Sequence, residues 1–158
     1  MKNLVLVRID DRLIHGQVMT AWIKNQNATQ VVIVDDGVAN DEYMIDVLEM
    51  AIPEEIAIGI FTKEDGVKFF SQGLEERTIL LVKGPAALCY LADHGIDLEE
   101  VDVGGMGAKS DRKTLYKNIS TSEKENQDFR HLLDIGISVY IQVMPQHKPV
   151  TIAQFLNQ

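Results

Sequence analysis

The sequence predicts an α/β fold: a single domain with a mainly parallel central sheet of six to seven strands and helices on both faces. Two observations lead there. Short runs rich in Val and Ile alternate with longer amphipathic segments along the whole chain, the β-then-α order of doubly wound proteins. The strand runs are also continuously apolar, as in Val31-Val32-Ile33-Val34, which implies burial on both faces and hence parallel strands covered by helices. A chain of 158 residues suits one domain over 1–158, burying roughly 70% of its unfolded surface.

Strands are expected at Leu4–Ile9, Gln30–Val34, Ala57–Phe61, Thr78–Val82, Glu100–Val103 and Ser138–Val143. Helical patterns fill most gaps, at Gln17–Asn25, Asp41–Ala51, Lys63–Gln72, Pro85–His94, Ser122–Ile135 and, briefly, Ile152–Leu156. Asn40 before Asp41-Glu42 favours a helix start through capping and the macrodipole. Ser122 with Glu125 three residues on has capping-box spacing. Gly73, Gly95 and Gly136 follow helical patterns where a left-handed stop is expected. The stretch from Gly104 to about Thr121 reads as one long irregular piece, and such length in a compact domain points to function. Ligands of this fold class gather beyond the carboxyl ends of the strands. Asp10–His15, Asp35-Asp36, Thr62, Lys83-Gly84 and Gly104–Lys109 are therefore expected along one rim.

Hydrophobic residues at 46% and charged residues at 25% are ordinary for a globular protein. The formal charge of −9 argues against a nucleic-acid surface, which needs clustered Lys and Arg to displace counterions. One cysteine, Cys89, precludes an internal disulfide and suits a reducing compartment. It lies in an apolar helical pattern and reads as a small buried residue. The start of the chain lacks a signal peptide's layout and no apolar run reaches membrane-spanning length, so a cytosolic location is expected.

The chemistry concentrates in Arg8-Ile9-Asp10-Asp11-Arg12-Leu13-Ile14-His15-Gly16-Gln17, where an apolar strand delivers charged residues and a histidine to the mouth of a helix. Free backbone amides of the first helical turn, here from Gly16 and Gln17, attract an anion. A neutral imidazole at His15 is a competent nucleophile toward phosphorus. Arg12 offers a planar fork matched to phosphoryl oxygens. Asp10 can orient the imidazole or anchor Arg12. Phosphoryl transfer needs mainly positioning and charge stabilisation, so this set can suffice without a metal. The plainer alternative stands beside it: a capping or hydrogen-bonding histidine among arginines and aspartates that form a structural ion-pair network. Arg8, Asp11, Gly105 and Met106 are further candidates for the rim.

Other motifs carry less. Gly104-Gly105-Met106-Gly107 reads chiefly as a sharp turn needing positive φ, with rim contact a second reading. It is not a dinucleotide fingerprint, and no Walker A sequence is present. Asp35-Asp36 follows the second strand, whereas a receiver domain places its phosphorylated aspartate after the third; helix-cap and turn duty is the better reading. His94, His131 and His147 are scattered without metal-ligand spacing, and the first two read as surface residues. Trp22 reads as core packing.

The run Arg8–Val18 closely resembles the opening of IIB components of the mannose/fructose/sorbose family of the phosphoenolpyruvate-dependent sugar phosphotransferase system. Val31–Asp36 is similar to that family's second strand and Val103-Gly104-Gly105-Met106 to its later glycine turn, so the resemblance covers the chain. Gly107-Ala108-Lys109 departs from the commoner pattern, which has an aromatic after the methionine, and no contacts are carried over to Lys109 or Lys113. The resemblance implies that His15 is transiently phosphorylated, on Nδ1, with Arg12 and Asp10 supporting the phosphohistidine. It implies a protein-Nπ-phosphohistidine–sugar phosphotransferase in the cytoplasm, peripherally associated with the membrane. Phosphoryl groups, ultimately from phosphoenolpyruvate, would come from a IIA partner and pass to a sugar presented by IIC and IID membrane subunits. No bound cofactor or metal is implied, and the sugar and a homo-oligomeric state stay open. Two rivals remain at this stage: a regulatory module binding a small anion at the same rim, and a His/Asp acid–base enzyme acting on a free metabolite.

Overall fold

Alternate residues of the central strands point into two separate cores. Val31 and Ile33 share one apolar cluster with Ile79 and Leu81, while Val32, Val34, Leu80 and Val82 belong to the other. Burying each such side chain stabilises the fold by about 2 kcal/mol, and a strand committed on both faces must lie inside a sheet. The structure, a computed structural model, describes residues 1–156; the last two residues of the expected domain lie outside the described residues.

In chain order the elements are β1 (Leu4–Asp10), α1 (Gly16–Gln26), β2 (Gln30–Val34), α2 (Asp36–Ala39), α3 (Glu42–Ala51), β3 (Ala57–Phe61), α4 (Lys63–Ser71), β4 (Thr78–Val82), α5 (Pro85–Asp93), β5 (Glu100–Gly105), β6 (Lys113–Tyr116), β7 (Ile119–Thr121), α6 (Glu123–Asp134), β8 (Ser138–Ile141), β9 (Val150–Thr151) and α7 (Ala153–Leu156). Among the described residues, seven strands form one sheet in the order β3-β2-β4-β1-β5-β8-β9. Every pairing in it is parallel except β8 with β9. Helices α1, α2 and α3 cover one face through Met19, Trp22, Ile23, Val38 and Leu48. Helices α4 to α7 cover the other through Phe70, Leu88, Leu91, Phe129, Leu132 and Leu156. The expected α/β architecture is the one observed.

Local chemistry set several boundaries as expected. Ser122 and Glu125 form a reciprocal capping box on α6. Gly73, Gly95 and Gly136 adopt φ of 81°, 90° and 94° after their helices.

Other expectations need correction. The cap of α3 is Asp41, whose carboxylate accepts from the Met44 amide at 3.1 Å, while Asn40 ends α2, a helix the sequence pattern did not announce. The stretch Gly104–Thr121 is not wholly irregular: β5 runs on to Gly105, and β6 and β7 form an antiparallel hairpin. Its turn, Lys117-Asn118, holds Lys117 at φ 48°, a conformation usually signalled by Gly or Asn, so the left-handed position itself carries no signal in the sequence. Strand β8 stops at Ile141 because Gln142 turns its side chain back onto the carbonyls of Pro145 and His147. The described residues hold no helix long and apolar enough to cross a membrane.

Candidate functional site

Residues two apart on a strand face the same way, so β1 presents Arg8 and Asp10 together at its carboxyl end, on the face covered by α1. After Asp10 the chain makes a tight turn closed by the Leu13 amide on the Asp10 carbonyl at 2.9 Å. Leu13 sits at φ 59°, a left-handed conformation costly for a leucine. It is retained because Leu13 and Ile14 are buried against the Trp22 cluster and pin the loop. The turn delivers His15 to the N-cap of α1 in extended conformation. Gly16 follows at φ 48°, with nothing within 4 Å of where a Cβ would stand. Its glycine is required by backbone conformation, and the space beside it is open.

Asp10 is the hub. Its Oδ2 lies 2.9 Å from His15 Nε2, and its Oδ1 accepts from the Arg12 amide at 3.1 Å and from Arg12 Nε at 3.3 Å. Its side chain is only 1% exposed, against 22% for His15 and 56% for Arg12, so a buried carboxylate holds two groups that face solvent. Burial alone would raise the Asp10 pKa, but the hydrogen bonds from His15 and from the Arg12 amide and side chain outweigh it and hold the carboxyl below its ordinary value. An ionised carboxylate only accepts hydrogen bonds. The proton on the neutral His15 ring therefore belongs on Nε2, and the lone pair on Nδ1. Asp10 thus contacts both groups that the sequence linked it to, the imidazole and Arg12.

The first turn of α1 has no side-chain cap and no acidic residue. Asp35, Asp41, Thr62 and Ser122 cap α2, α3, α4 and α6 instead. The amides of Gly16 and Gln17 are thus available to an anion beside His15.

A second network braces the loop. Asp11 Oδ2 accepts from the Gly107 amide at 2.9 Å and from Arg112 at 3.1 Å, and the Asp11 amide donates to the Gly105 carbonyl. Arg112 in turn forks onto Glu125 with two 2.8 Å hydrogen bonds and donates to the Gly107 carbonyl. Arg112 is almost wholly buried. Nothing in the pattern around Ser110-Asp111-Arg112-Lys113 singled it out.

Arg8 and Met106 do not belong to the rim: both are fully buried beneath it. Arg8 instead bonds Asp102 at 2.5 Å and the Gln142 carbonyl at 2.9 Å, and reaches Asp10 at 3.5 Å. Asp102 does carry a sequence signal, a charge inside the apolar strand Val101-Asp102-Val103. The glycine motif also has a different cause from a positive-φ turn, because neither Gly104 nor Gly105 has positive φ. A Cβ at Gly104 would overlap the Arg8 guanidinium, and one at Gly105 would stand 2.7 Å from Asp10 Oδ1. These glycines let two charged side chains lie flat on β5.

The remaining rim residues divide. Gly84 comes near the brace, its Cβ direction 3.4 Å from Glu125 Oε2. Asp35 caps α2, Thr62 caps α4, and Asp36 accepts from the Lys63 amide at 2.8 Å, so these carboxylates serve turns and caps. Lys109 and Lys113 are exposed and make no ion pair among the described residues. Trp22 is core, 3% exposed, its Nε1 donating to the Val143 carbonyl. His94 is exposed, and His131 pairs with Asp93 at the surface. Cys89 is half-buried rather than buried; burial and the nearby Asp128 and Asp93 push its thiol up to about 11, which leaves it unreactive. No group of three or more His, Cys, Asp or Glu among the described residues is placed to hold a metal.

Comparison with known proteins gives one consistent result. The family model "PTS system sorbose subfamily IIB component" matches residues 4–158. The chain is 32% identical to the fructose-specific EIIB component of Bacillus subtilis, over 99% of this chain and 98% of that protein. It is 31% identical to an N-acetylgalactosamine-specific IIB component of Escherichia coli, over 99% of this chain and 100% of that protein. The crystal structure of the IIBSor domain of the sorbose permease from Klebsiella pneumoniae superposes with a TM-score of 0.93 at 31% identity, covering 98% of this chain and 96% of that one.

Proposed function

This chain belongs to the family of PTS sorbose-subfamily IIB components, which implies phosphoryl transfer in sugar uptake, and on that premise we propose that His15 carries the phosphoryl group on Nδ1. The observation that carries the reading is the 2.9 Å contact between His15 Nε2 and an ionised, buried Asp10. It supports a ring proton on Nε2 and, with it, Nδ1 as the nucleophile.

In the first step the Nδ1 lone pair attacks phosphorus on the phosphohistidine of a IIA partner. A new N–P bond forms at His15 as the old one breaks, and its electron pair stays with the IIA ring. Arg12 and the amides of Gly16 and Gln17 meet the charge on the phosphoryl oxygens, while Asp10 balances the positive charge that phosphorylation induces on the ring. In the second step the hydroxyl oxygen of a sugar held by IIC and IID attacks phosphorus and gives up its proton to solvent. The N–P bond breaks, and its electron pair returns to Nδ1 of a neutral imidazole that keeps its Nε2 proton. The same groups serve both directions, so the site favours the transition state over the phosphohistidine itself.

In this reading residues 1–158 act as one cytoplasmic domain, visiting the membrane through its partners. It needs no resident metal or organic cofactor beyond phosphoryl groups derived from phosphoenolpyruvate. The relatives are named for fructose, sorbose and N-acetylgalactosamine at nearly equal identity, which agrees with a sugar chosen by the membrane subunits.

The test is incubation with phosphoenolpyruvate, the general carriers and the cognate IIA, followed by mass spectrometry that preserves phosphohistidine and by 15N NMR of the ring. Phosphorylation at His15 with the Nδ1 signature is expected. An unmodified His15 in a relay that phosphorylates sugar would overturn the proposal.

A further inference from the structure

The carrier mechanism uses only the outer end of a longer row of charges. Behind His15 and Asp10 stand Arg8 and Asp102, register partners across β1 and β5 and both 0% exposed. Arg8 Nη1 binds Asp102 Oδ2 at 2.5 Å, and Arg8 Nη2 reaches Asp10 Oδ2 at 3.5 Å, the same oxygen that receives His15 Nε2. The guanidinium lies over the Trp22 ring at 5.4 Å, on a strip of β5 that Gly104 keeps clear. The pair is incompletely satisfied, with Arg8 Nε and Asp102 Oδ1 buried and unpartnered among the described residues. Well-packed apolar side chains of similar volume usually stabilise a core as well as or better than such a pair, so packing does not account for it.

We infer that Arg8 and Asp102 are positioning residues that set, through Asp10, how strongly His15 holds its Nε2 proton. The row reads negative, positive, negative and then imidazole. While Asp102 is ionised it neutralises Arg8, and the charge on Asp10 acts undiminished on the His15 ring. When Asp102 is neutral, Arg8 competes for Asp10 Oδ2 and the hold on the ring proton weakens.

The groups that face Asp102 are few. Arg8 and Asp10 come from β1, the register partner Tyr140 from β8, and the Gln142 backbone lies against Asp102 as well. Glu100 acts on Tyr140, and the neutral Trp22 of α1 packs on Arg8. Burial outweighs the pull of Arg8 and pushes Asp102 up to about 7, so its charge changes near neutral pH. For transfer, a firmly protonated Nε2 makes the ring a better leaving group; this consequence, unlike the proton affinity itself, rests on the carrier reading above.

NMR titration of the His15 ring in the unphosphorylated protein tests the inference. Asp102→Asn leaves Arg8 uncompensated at every pH, and the His15 midpoint should fall, by less than the roughly one pH unit of a full nearby charge, because Asp102 carries only part of its charge near neutral pH. Arg8→Gln should raise it, and the double variant should lie above Asp102→Asn. Tyr140→Phe should leave it in place. A purely structural pair would not produce shifts of opposite sign. If Asp102→Asn does not fold, Asp102→Thr removes the same charge and must shift the midpoint in the same direction. Shifts of one sign in both single variants, or no shift in either, would overturn the inference. Opposite shifts in a protein that accepts no phosphoryl group would count against the carrier reading alone.

Discussion

His15 Nε2 and Asp10 Oδ2 lie 2.9 Å apart, and the aspartate reaches that position only because Gly105, facing it on β5, has no side chain. A glycine on one strand thus places a carboxylate on the next, and the carboxylate fixes the tautomer of a histidine five residues further on. His15→Ala should abolish phosphoprotein formation while leaving the fold intact, because the His15 side chain makes no contribution to either apolar cluster. Asp10→Asn keeps an acceptor toward Nε2 but loses the charge, and transfer should slow by roughly 10²-fold, within the usual worth of proton control by a positioned group. Rapid-quench measurement of phosphoryl transfer from IIA reads both. A wild-type rate in Asp10→Asn would show that the tautomer is not set there.

Arg12 anchors itself on Asp10 through its amide and Nε, which turns the outer nitrogens of the fork toward solvent. Lysine has no Nε anchor and presents a single point charge. Arg12→Lys should slow transfer roughly tenfold, equivalent to about 1.5 kcal/mol for one charge-assisted hydrogen bond. Thermal stability should hardly change, since the side chain is half exposed. An unaltered single-turnover rate would remove Arg12 from the chemistry.

The two glycines that end β5 answer to different residues, and substitution separates them from Gly107. A methyl at Gly104 meets the Arg8 guanidinium and a methyl at Gly105 meets the Asp10 carboxylate, while one at Gly107 makes ordinary contact at 3.6 Å with Asp11. Gly104→Ala and Gly105→Ala should each cost about 2–3 kcal/mol, as overpacking in a filled core does. Gly107→Ala should fall within about 0.5 kcal/mol of wild type. Urea unfolding distinguishes them, and equal midpoints for all three would refute the cradle.

The sheet was legible because Val31–Val34 and Ile79–Val82 are apolar at every position, a pattern that only a two-sided sheet position explains. His15 and its anion-ready helix start were legible for a local reason, strand, charged turn and helix being contiguous in the chain. Arg112 was not, since its partners Asp11 and Glu125 lie 101 and 13 residues away and no local pattern reports them. Arg8 was misplaced on the rim because a strand's period tells which residues share a face but not how deep that face lies. Gly104-Gly105 was misread because a glycine chosen for closeness looks, in sequence, the same as one chosen for positive φ.

Gly16 poses the converse case. It holds φ 48° with open space where a Cβ would go, so Gly16→Ala should cost about 1 kcal/mol of stability from backbone conformation alone. The added methyl also enters the space where a phosphoryl group on His15 would approach the α1 amides, so the lifetime of phosphorylated protein should shorten as well. A stability loss with an unchanged lifetime would place the phosphoryl group elsewhere.

Stability should pass through a maximum in mildly acidic solution, because carboxylates of opposite behaviour share this end of the sheet. For Glu125, burial raises the pKa, but the fork of Arg112 and the Ser122 amide outweigh it and hold the carboxyl below its ordinary 4.5. Asp10 likewise lies below its ordinary 3.8. In both, the unfolded chain takes up a proton before the folded one, so their stabilisation is complete above the unfolded value and is lost as pH falls through the folded one. Asp102 has the other sign. Burial lifts it from 3.8 to about 7, so the folded protein binds its proton more tightly than the unfolded chain. The stability this confers is full below 3.8 and disappears as pH rises to 7. Urea midpoints should therefore climb from pH 3 to about 4.5 and decline from there to about 7. Glu125→Gln should flatten the acid limb, besides lowering stability at pH 7 by about 2 kcal/mol through the lost charged hydrogen bonds. Asp102→Asn should abolish the decline toward neutral pH. A wild-type profile that keeps rising through pH 7.5 would mean that Asp102 is ionised throughout and that Arg8 outweighs its burial.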